Sequence, residues 1–314
     1  MENNKACLTE VSRHHRFKFE EYLVFYFDIL AQKRVLKDLK VDCHGENAEI
    51  NKIFSCIVEF NTRMRGFLKD AKDLSSQFIM NNSIFKTEDD KKKALRSLSK
   101  MDIGLQQFSD LTMIYVKTGT LAAWAVAFII LIEISILMTF QMANGFVVRG
   151  SVVKGLGCKL GNKCLYGPVI LNAYEIEAQI SQWGRIVFSK EAYEFLKGIS
   201  VFARQVGINE NSDIVYGFNN LIKKDIDGAM YLDYLAPEMI RFFKKRNYGC
   251  ENVIAAHEAG LKYIKKQLNE SGAPDEVPCE DRKLALRYKI MEYYWISRMK
   301  EWCDEERVRK ILGE

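Results

Sequence analysis

Two aspartates stand where a carboxylate could bind a cation. Asp28 ends a run of aromatic and β-branched residues at 22–30, a composition that predicts a fully buried strand. Asp110 lies at the predicted turn between two short strands within residues 105–116. Because a carboxylate beside an apolar strand is costly unless it is paired, two of them on neighbouring strands indicate an oxygen-rich site for Mg²⁺ or Mn²⁺. Each aspartate taken singly is also explained as an ordinary turn or capping residue.

Cationic residues that could face a phosphate follow later in the chain. Arg149 precedes Gly150 on a predicted strand, where it would contact a phosphate or form a surface ion pair. Residues 154–163 contain three glycines and three lysines, a composition that predicts a mobile loop facing a phosphate. This segment lacks the GxxxxGK[ST] pattern of a Walker loop, so a P-loop nucleotide site is excluded there.

The elements that must position these residues alternate along the chain. Up to residue 200 the predicted order is strand, helix, two strands, helix, strand, helix and strand. This order predicts an α+β fold in which a mixed or antiparallel sheet is flanked by helices. We divide the chain into an N-terminal arm at 1–20, a domain at 21–200 with a helical insertion at 45–103, and a mostly helical C-terminal extension at 201–314.

The composition excludes several classes of protein. The chain has 314 residues, of which 48% are hydrophobic and 28% charged, so it can bury a full core and is not a disordered chain. Its net charge of +5 suits an anionic ligand without requiring nucleic acid. Scattered cysteines without a CxxC pair, and a start without an apolar signal segment, predict a cytoplasmic protein with reduced thiols.

One segment raises the question of a membrane span. Residues 118–148 carry a single charge, Glu133, and are long enough to cross a bilayer. However, Glu133 would lie near the middle of the span, where an ionisable group is costly, and Asn144-Gly145 is typical of a helix end. We therefore expect the buried central helix of a soluble domain, with a membrane span as the less favoured alternative.

The motifs, in order, resemble a known family. FYFDIL, FSD, RGSVVKG, YGPVILNAYEIE and RIVFS, over about residues 20–195, resemble the catalytic domain of class III nucleotide cyclases. The resemblance implies that Asp28 and Asp110 bind two Mg²⁺ or Mn²⁺ ions, with the carbonyl of Ile29 sharing one of them. It also implies the reaction, in which the 3′ hydroxyl of a nucleoside triphosphate attacks its own α-phosphate and releases pyrophosphate.

The helix that follows Gly-Pro departs from the family pattern. Leu171 and Glu175 stand where the family has the Asn and Arg that steady the ribose and the transition state. The resemblance then implies that the cationic role passes to Arg149 or Arg185, or is lost. Glu175 and its neighbour Tyr174 are also candidates for contact with substrate or with a partner subunit. A packed aromatic side chain and a solvated acid explain these two residues equally well.

The positions that select the base also depart from the family. Gln106 and Cys164 stand where the family reads a purine with a Lys and an acid. An amide can hydrogen-bond a smaller base, so this pair implies a substrate other than ATP or GTP. Tyr26, two residues before Asp28, completes the candidates for substrate contact.

The chain is also similar to one branch of this superfamily, the Pycsar anti-phage cyclases. The similarity rests on FYFDIL, FSD, Arg149-Gly150, GPVILNAYEIE, Arg185-Ile186 and DIDGAMYLDYL at 225–235. It implies a homodimer with active sites at its interface, which makes cyclic CMP or cyclic UMP for a separate effector protein. The alternative is an inactive cyclase-like protein that binds a nucleotide or a partner, because the family's Asn and Arg are missing.

Overall fold

The computed structural model describes residues 17–30, 48–81, 85, 87–108, 111–161, 164–205, 213–239, 250–272, 279–302 and 309. Within these ranges the strands are β1 (Phe19–Ile29), β2 (Ile103–Phe108), β3 (Leu111–Lys117), β4 (Val148–Leu160), β5 (Cys164–Tyr166), β6 (Ile186–Phe188), β7 (Ile222–Lys224) and β8 (Met230–Leu232). The helices are α1 (Ala48–Asn81), α2 (Glu88–Ser99), α3 (Leu121–Ala143), α4 (Pro168–Gln179), α5 (Lys190–Gln205), α6 (Asp213–Leu221), α7 (Cys250–Ser271) and α8 (Cys279–Trp302).

The described strands form one mixed sheet in the order β2-β3-β1-β4-β6-β8-β7, and β5 pairs with β4. The strand β1 pairs with β3 on one side and β4 on the other, both antiparallel, whereas β4 and β6 run parallel. Alternate side chains of β1 belong to the two cores on opposite sides of the sheet, so both faces of the strand are buried, which accounts for its continuous apolar run. The predicted α+β fold with a mixed sheet flanked by helices is confirmed.

The apolar segment forms α3, which packs against α1 and α7. Among the described helices, one segment, Ala122–Ala143, is long and apolar enough to cross a membrane, and 83% of its most apolar window is buried inside the protein. The helix ends at Asn144-Gly145, where Gly145 has a φ of 85°, a backbone conformation that favours glycine. The predicted buried central helix is therefore confirmed.

The predicted mobile loop at 154–163 is wrong over most of its length. The strand β4 continues to Leu160 and pairs with β5, so Cys158 lies opposite Tyr166. Close packing explains the glycines, since a Cβ on Gly157 would lie 2.8 Å from the Leu165 side chain and 3.2 Å from Val169. The absence of a side chain at Gly157 lets α4 pack closely against the strand, so this glycine does not indicate a flexible loop.

The sheet has two unequal sides. The larger core lies between the sheet and the helices around α3, while a smaller core on the opposite side lies under α4. The division into arm, domain and extension stays a prediction. The segment after residue 200 contributes β7 and β8 to the same sheet, and α8 packs against α7.

Candidate active site

Asp28 is the second-last residue of β1, on the side of the sheet that α4 covers. The strand is buried from Tyr22 to Phe27, and Asp28 follows with 22% of its side chain exposed. It lies directly opposite Arg149 of β4, whose Nη2 donates to Asp28 Oδ2 at 3.0 Å. A carboxylate at the end of a buried strand is thus held in one position by a neighbouring cation.

Arg149 joins the sheet to α4. Its Nη2 is also 2.6 Å from Oε1 of Glu177, a carboxylate whose side chain is 4% exposed. A second contact joins β4 to α4 one helical turn earlier, where Ser151 Oγ donates to the carbonyl of Ala173 at 2.7 Å. Arg149 therefore bridges one carboxylate that reaches solvent, Asp28, and one that is buried, Glu177. Loss of the bridging cation would leave the buried carboxylate without this partner.

Tyr26 shares the Asp28 side of β1, since side chains alternate along a strand. It belongs to the small core under α4. Burial raises the pKa of the Tyr26 phenol, and the negative charges of Glu177 and Asp28 raise it further. Its hydroxyl therefore stays protonated at neutral pH and can donate a hydrogen bond.

The second predicted metal ligand, Asp110, lies outside the described residues. The strands on either side of it are described, and Phe108 pairs with Leu111, so the chain between them is two residues long. Thr112 pairs with Phe27, which places this end of β3 beside the Asp28 end of β1.

The donor set offers a partial fit to a divalent cation. Asp28 supplies a carboxylate that reaches solvent, which is the oxygen donor that Mg²⁺ and Mn²⁺ take. Among the described residues, His, Cys, Asp and Glu form no group of three or more that could hold a metal ion. Metal binding by Asp28 and the Ile29 carbonyl therefore stays a prediction, and it depends on Asp110 for the second carboxylate.

Arg185 is used elsewhere in the fold. Its guanidinium contacts the carboxylates of Asp225 and Asp227 in the turn between β7 and β8, and its Nη2 donates to the carbonyl of Ile180 at 2.8 Å. The side chain is 4% exposed and lies over the ring of Trp183. Arg185 thus forms ion pairs with the β7–β8 turn and does not pair with Asp28. No observation tests the catalytic role that the sequence predicts for Arg185, and these contacts favour a structural role instead.

The two candidate base-reading residues come close together where β5 approaches β2. The backbone N–H of Leu165 donates to Gln106 Oε1 at 3.0 Å, and Cys164, the residue before it, is exposed. Because a backbone N–H can only donate, this contact fixes which amide atom faces β5. The hydrogen bonds found among the described residues leave the Gln106 NH₂ unused.

A polar pair that the sequence reasoning missed lies close to Gln106. Lys159 Nζ is 2.9 Å from Asp102 Oδ1, and the hydroxyl of Tyr22 donates to Asp102 Oδ2 at 3.2 Å. Lys159 also pairs with Leu165 across β4 and β5, so it adjoins the Gln106 contact. The sequence alone does not indicate that Lys159 pairs with Asp102, because 57 residues separate them in the chain.

The outer face of α4 carries exposed apolar side chains. Leu171 and Tyr174 are each more than half exposed, and Glu175 is exposed beside them. Around the start of the helix further apolar side chains are exposed, namely those of Phe19, Leu156 and Tyr166. We call these five apolar residues the α4 face.

Comparisons with known proteins give no family assignment. No family model matches the chain, and the comparison with curated proteins found no match. Among solved structures, the monomeric guanylyl cyclase domain of the RhoGC fusion protein from Blastocladiella emersonii aligns with 13% identity and a TM-score of 0.38, over 68% of this chain and 95% of that domain. Two structures of a bacterial light-regulated adenylyl cyclase align with 14% identity and TM-scores of 0.30 and 0.29, each over 57% of this chain and 45% of the cyclase. Likeness at these TM-scores carries no argument about function, which must come from the residues.

Proposed function

We propose that this protein is a nucleotide cyclase that converts CTP or UTP to the 3′,5′-cyclic monophosphate and pyrophosphate. The observation that carries the proposal is the arrangement at the end of β1. There Asp28 reaches solvent beside the start of β3, and Arg149 links it to α4. This gives one end of the sheet both a carboxylate for a divalent cation and a cation for a phosphate group.

The reaction needs no nucleophile from the protein. The 3′ oxygen of the nucleotide forms a bond to its α-phosphorus, the bond to the bridging oxygen breaks, and pyrophosphate leaves with that electron pair while the hydroxyl proton passes to solvent. Asp28, Ile29 and Asp110 would hold two Mg²⁺ or Mn²⁺ ions, which when bound lower the pKa of the hydroxyl and neutralise the leaving group. The protein's own part is to orient the nucleotide, with Arg149 on the phosphates and Tyr26 as a hydrogen-bond donor.

The biological setting belongs to the same proposal. The cyclic nucleotide would be a second messenger made in the cytoplasm during anti-phage defence and sensed by a separate effector protein. The direct test is incubation with Mn²⁺ and each of the four nucleoside triphosphates in turn, with mass spectrometry of the products. We expect cyclic CMP or cyclic UMP to dominate; cyclic AMP as the main product would contradict the base assignment.

Base selection by Gln106 gives a sharp prediction. Changing Gln106→Glu keeps an oxygen for the Leu165 N–H but replaces the unused NH₂ donor with an acceptor. A base carbonyl would then face an oxygen, and we expect kcat/KM for the pyrimidine triphosphate to fall about 10-fold or more. Steady-state kinetics with CTP and UTP measures the change. Unchanged kinetics in a normally folded variant would remove Gln106 from the base site.

The α4 face predicts a homodimer. Exposed apolar patches of this kind mark interaction surfaces, and a second copy of this chain would cover the face and bring Tyr174 and Glu175 to the partner's site. We expect Leu171→Glu to convert the dimer to monomer and to abolish cyclisation with it. Sedimentation equilibrium is the measurement, and Ile226→Glu is the matched control, because Ile226 is a fully exposed apolar residue in the β7–β8 turn. A wild-type protein that sediments as a monomer at all concentrations would contradict the prediction.

One observation favours a second function, nucleotide binding without turnover. The α4 helix exposes Leu171 and Glu175 at the positions where the resemblance expects an amide and a cation. Such a protein would bind a triphosphate and release it unchanged. Binding without any pyrophosphate release, and with Asp28→Asn retaining biological function, would establish this alternative over the enzyme.

A further inference from the structure

The helix α8 approaches the chain just before β4, the strand that carries Arg149. Its Met291 lies against Gly184, since a Cβ on that glycine would be 3.5 Å from the Met291 sulfur and 2.9 Å from Val147. Val147 immediately precedes β4 and lies two residues before Arg149. Arg287 is one helical turn before Met291 and therefore lies on the same side of α8.

Arg287 has an unusual environment for a guanidinium. Its side chain is half-buried, its Nε is fully buried, and none of its nitrogens forms a hydrogen bond or ion pair with another described residue. Arg185 and Arg298 also have buried Nε atoms, but both form ion pairs with carboxylates. Because a buried N–H without an acceptor is costly, the Arg287 guanidinium can take a further acceptor, such as the oxygen of an anion.

The neighbours of Arg287 identify where that anion would lie. Burial lowers the pKa of Arg287, the positive charge of Arg149 lowers it further, and Glu177 acts in the opposite direction. Two guanidiniums thus repel each other near Glu177, whose Oε1 already forms an ion pair with Arg149 Nη2 at 2.6 Å. The Nε of Arg149 is likewise buried and, among the described residues, meets no acceptor.

We infer that Arg287 and Arg149 together bind the phosphate chain of the nucleotide, so that α8 supplies a residue to the active site. An oxyanion between the two guanidiniums would accept from both and relieve their mutual repulsion. This inference rests on the proposed function for the identity of the ligand. It gives α8 a direct role in the site, and Tyr294 and Arg298 of this helix contact the buried Asp233, which directly follows β8.

The test is calorimetric binding of magnesium pyrophosphate and of 3′-deoxy-CTP and 3′-deoxy-UTP, analogues that lack the attacking hydroxyl. We expect Arg287→Ala to weaken the binding of all of them about 10- to 100-fold, the effect of losing a charge-assisted hydrogen bond. Arg287→Lys should stay within about threefold of wild type for pyrophosphate, because it keeps the charge. Lys283→Ala is the matched control, an exposed cation one turn earlier on α8 that should have no effect.

Three results of these binding measurements would overturn the inference. They are equal binding by wild type and Arg287→Ala, an equal loss in Lys283→Ala, and no pyrophosphate binding by wild type. If Arg287→Ala lowers the melting temperature, Arg287→Gln replaces it, since the amide keeps most of the length and polarity without the charge. Pyrophosphate binding that depends on Arg287 in a protein that cyclises none of the four triphosphates would contradict the proposed function and leave the phosphate site intact.

Discussion

Asp28→Asn is expected to reduce nucleotide cyclisation at least about 1000-fold while leaving the protein folded. The loss follows because a neutral amide is a poor ligand for Mg²⁺ or Mn²⁺, and metal ions supply several kcal/mol of transition-state stabilisation in such reactions. The fold should tolerate the change, because Asn can still accept from Arg149, and Arg149 keeps Glu177 as its partner. The free energy of unfolding should change by about 1 kcal/mol or less, as for other partly exposed ion pairs.

The measurement is the initial rate of pyrophosphate release with Mn²⁺, together with a urea unfolding curve. Glu21→Gln is the control, since Glu21 is an exposed carboxylate on the same strand and pairs with Lys154. It should keep wild-type activity. If Asp28→Asn cyclises nucleotide at the wild-type rate, the site at the end of β1 is not where the reaction takes place.

Arg185→Met is expected to destabilise the protein by about 3 kcal/mol, the cost of breaking a buried ion pair from one side. The substitution removes the cation that Asp225 and Asp227 share and the donor to the Ile180 carbonyl. Arg185 also holds the pKa of Asp227 below its ordinary value of 3.8. A carboxylate with a lowered pKa stabilises the fold above its ordinary pKa, so this contribution is present at neutral pH and is lost as the pH falls through the lowered value.

Urea unfolding at neutral pH measures this effect, with Lys190→Met as an exposed cationic control on α5. The activity of Arg185→Met, measured under conditions in which the variant is fully folded, distinguishes a structural role of these ion pairs from a catalytic role. We expect activity within about threefold of wild type there. A large loss of activity with unchanged stability would show instead that Arg185 acts in the reaction.

The sequence predicted the elements whose signals are local. The apolar run ending at Asp28 formed β1, the uncharged segment formed α3, and Gly167-Pro168 began α4. Periodicity and breaker residues suffice for these because they act over a few positions. The glycines near Gly157 were misread because composition does not distinguish a flexible loop from a strand that a helix approaches closely.

The site itself could be predicted only in part. The motif order placed Asp28 and Arg149 on different strands, but that they face each other depends on the register of β1 and β4. The link from Arg149 to Glu177 and the approach of Arg287 depend on how α4 and α8 pack. Such contacts join residues that are far apart in the chain, so local patterns in a single sequence cannot predict them.

The central claim is that the Asp28 end of the sheet cyclises a pyrimidine nucleoside triphosphate. The most direct measurement presents wild type and Asp28→Asn with an equimolar mixture of ATP, GTP, CTP and UTP in Mn²⁺, and quantifies all cyclic monophosphates and pyrophosphate. We expect cyclic CMP or cyclic UMP from wild type, in equal amount to pyrophosphate, and neither cyclic nucleotide from the variant. Absence of any cyclic product from wild type, or the same product from both proteins, would contradict it.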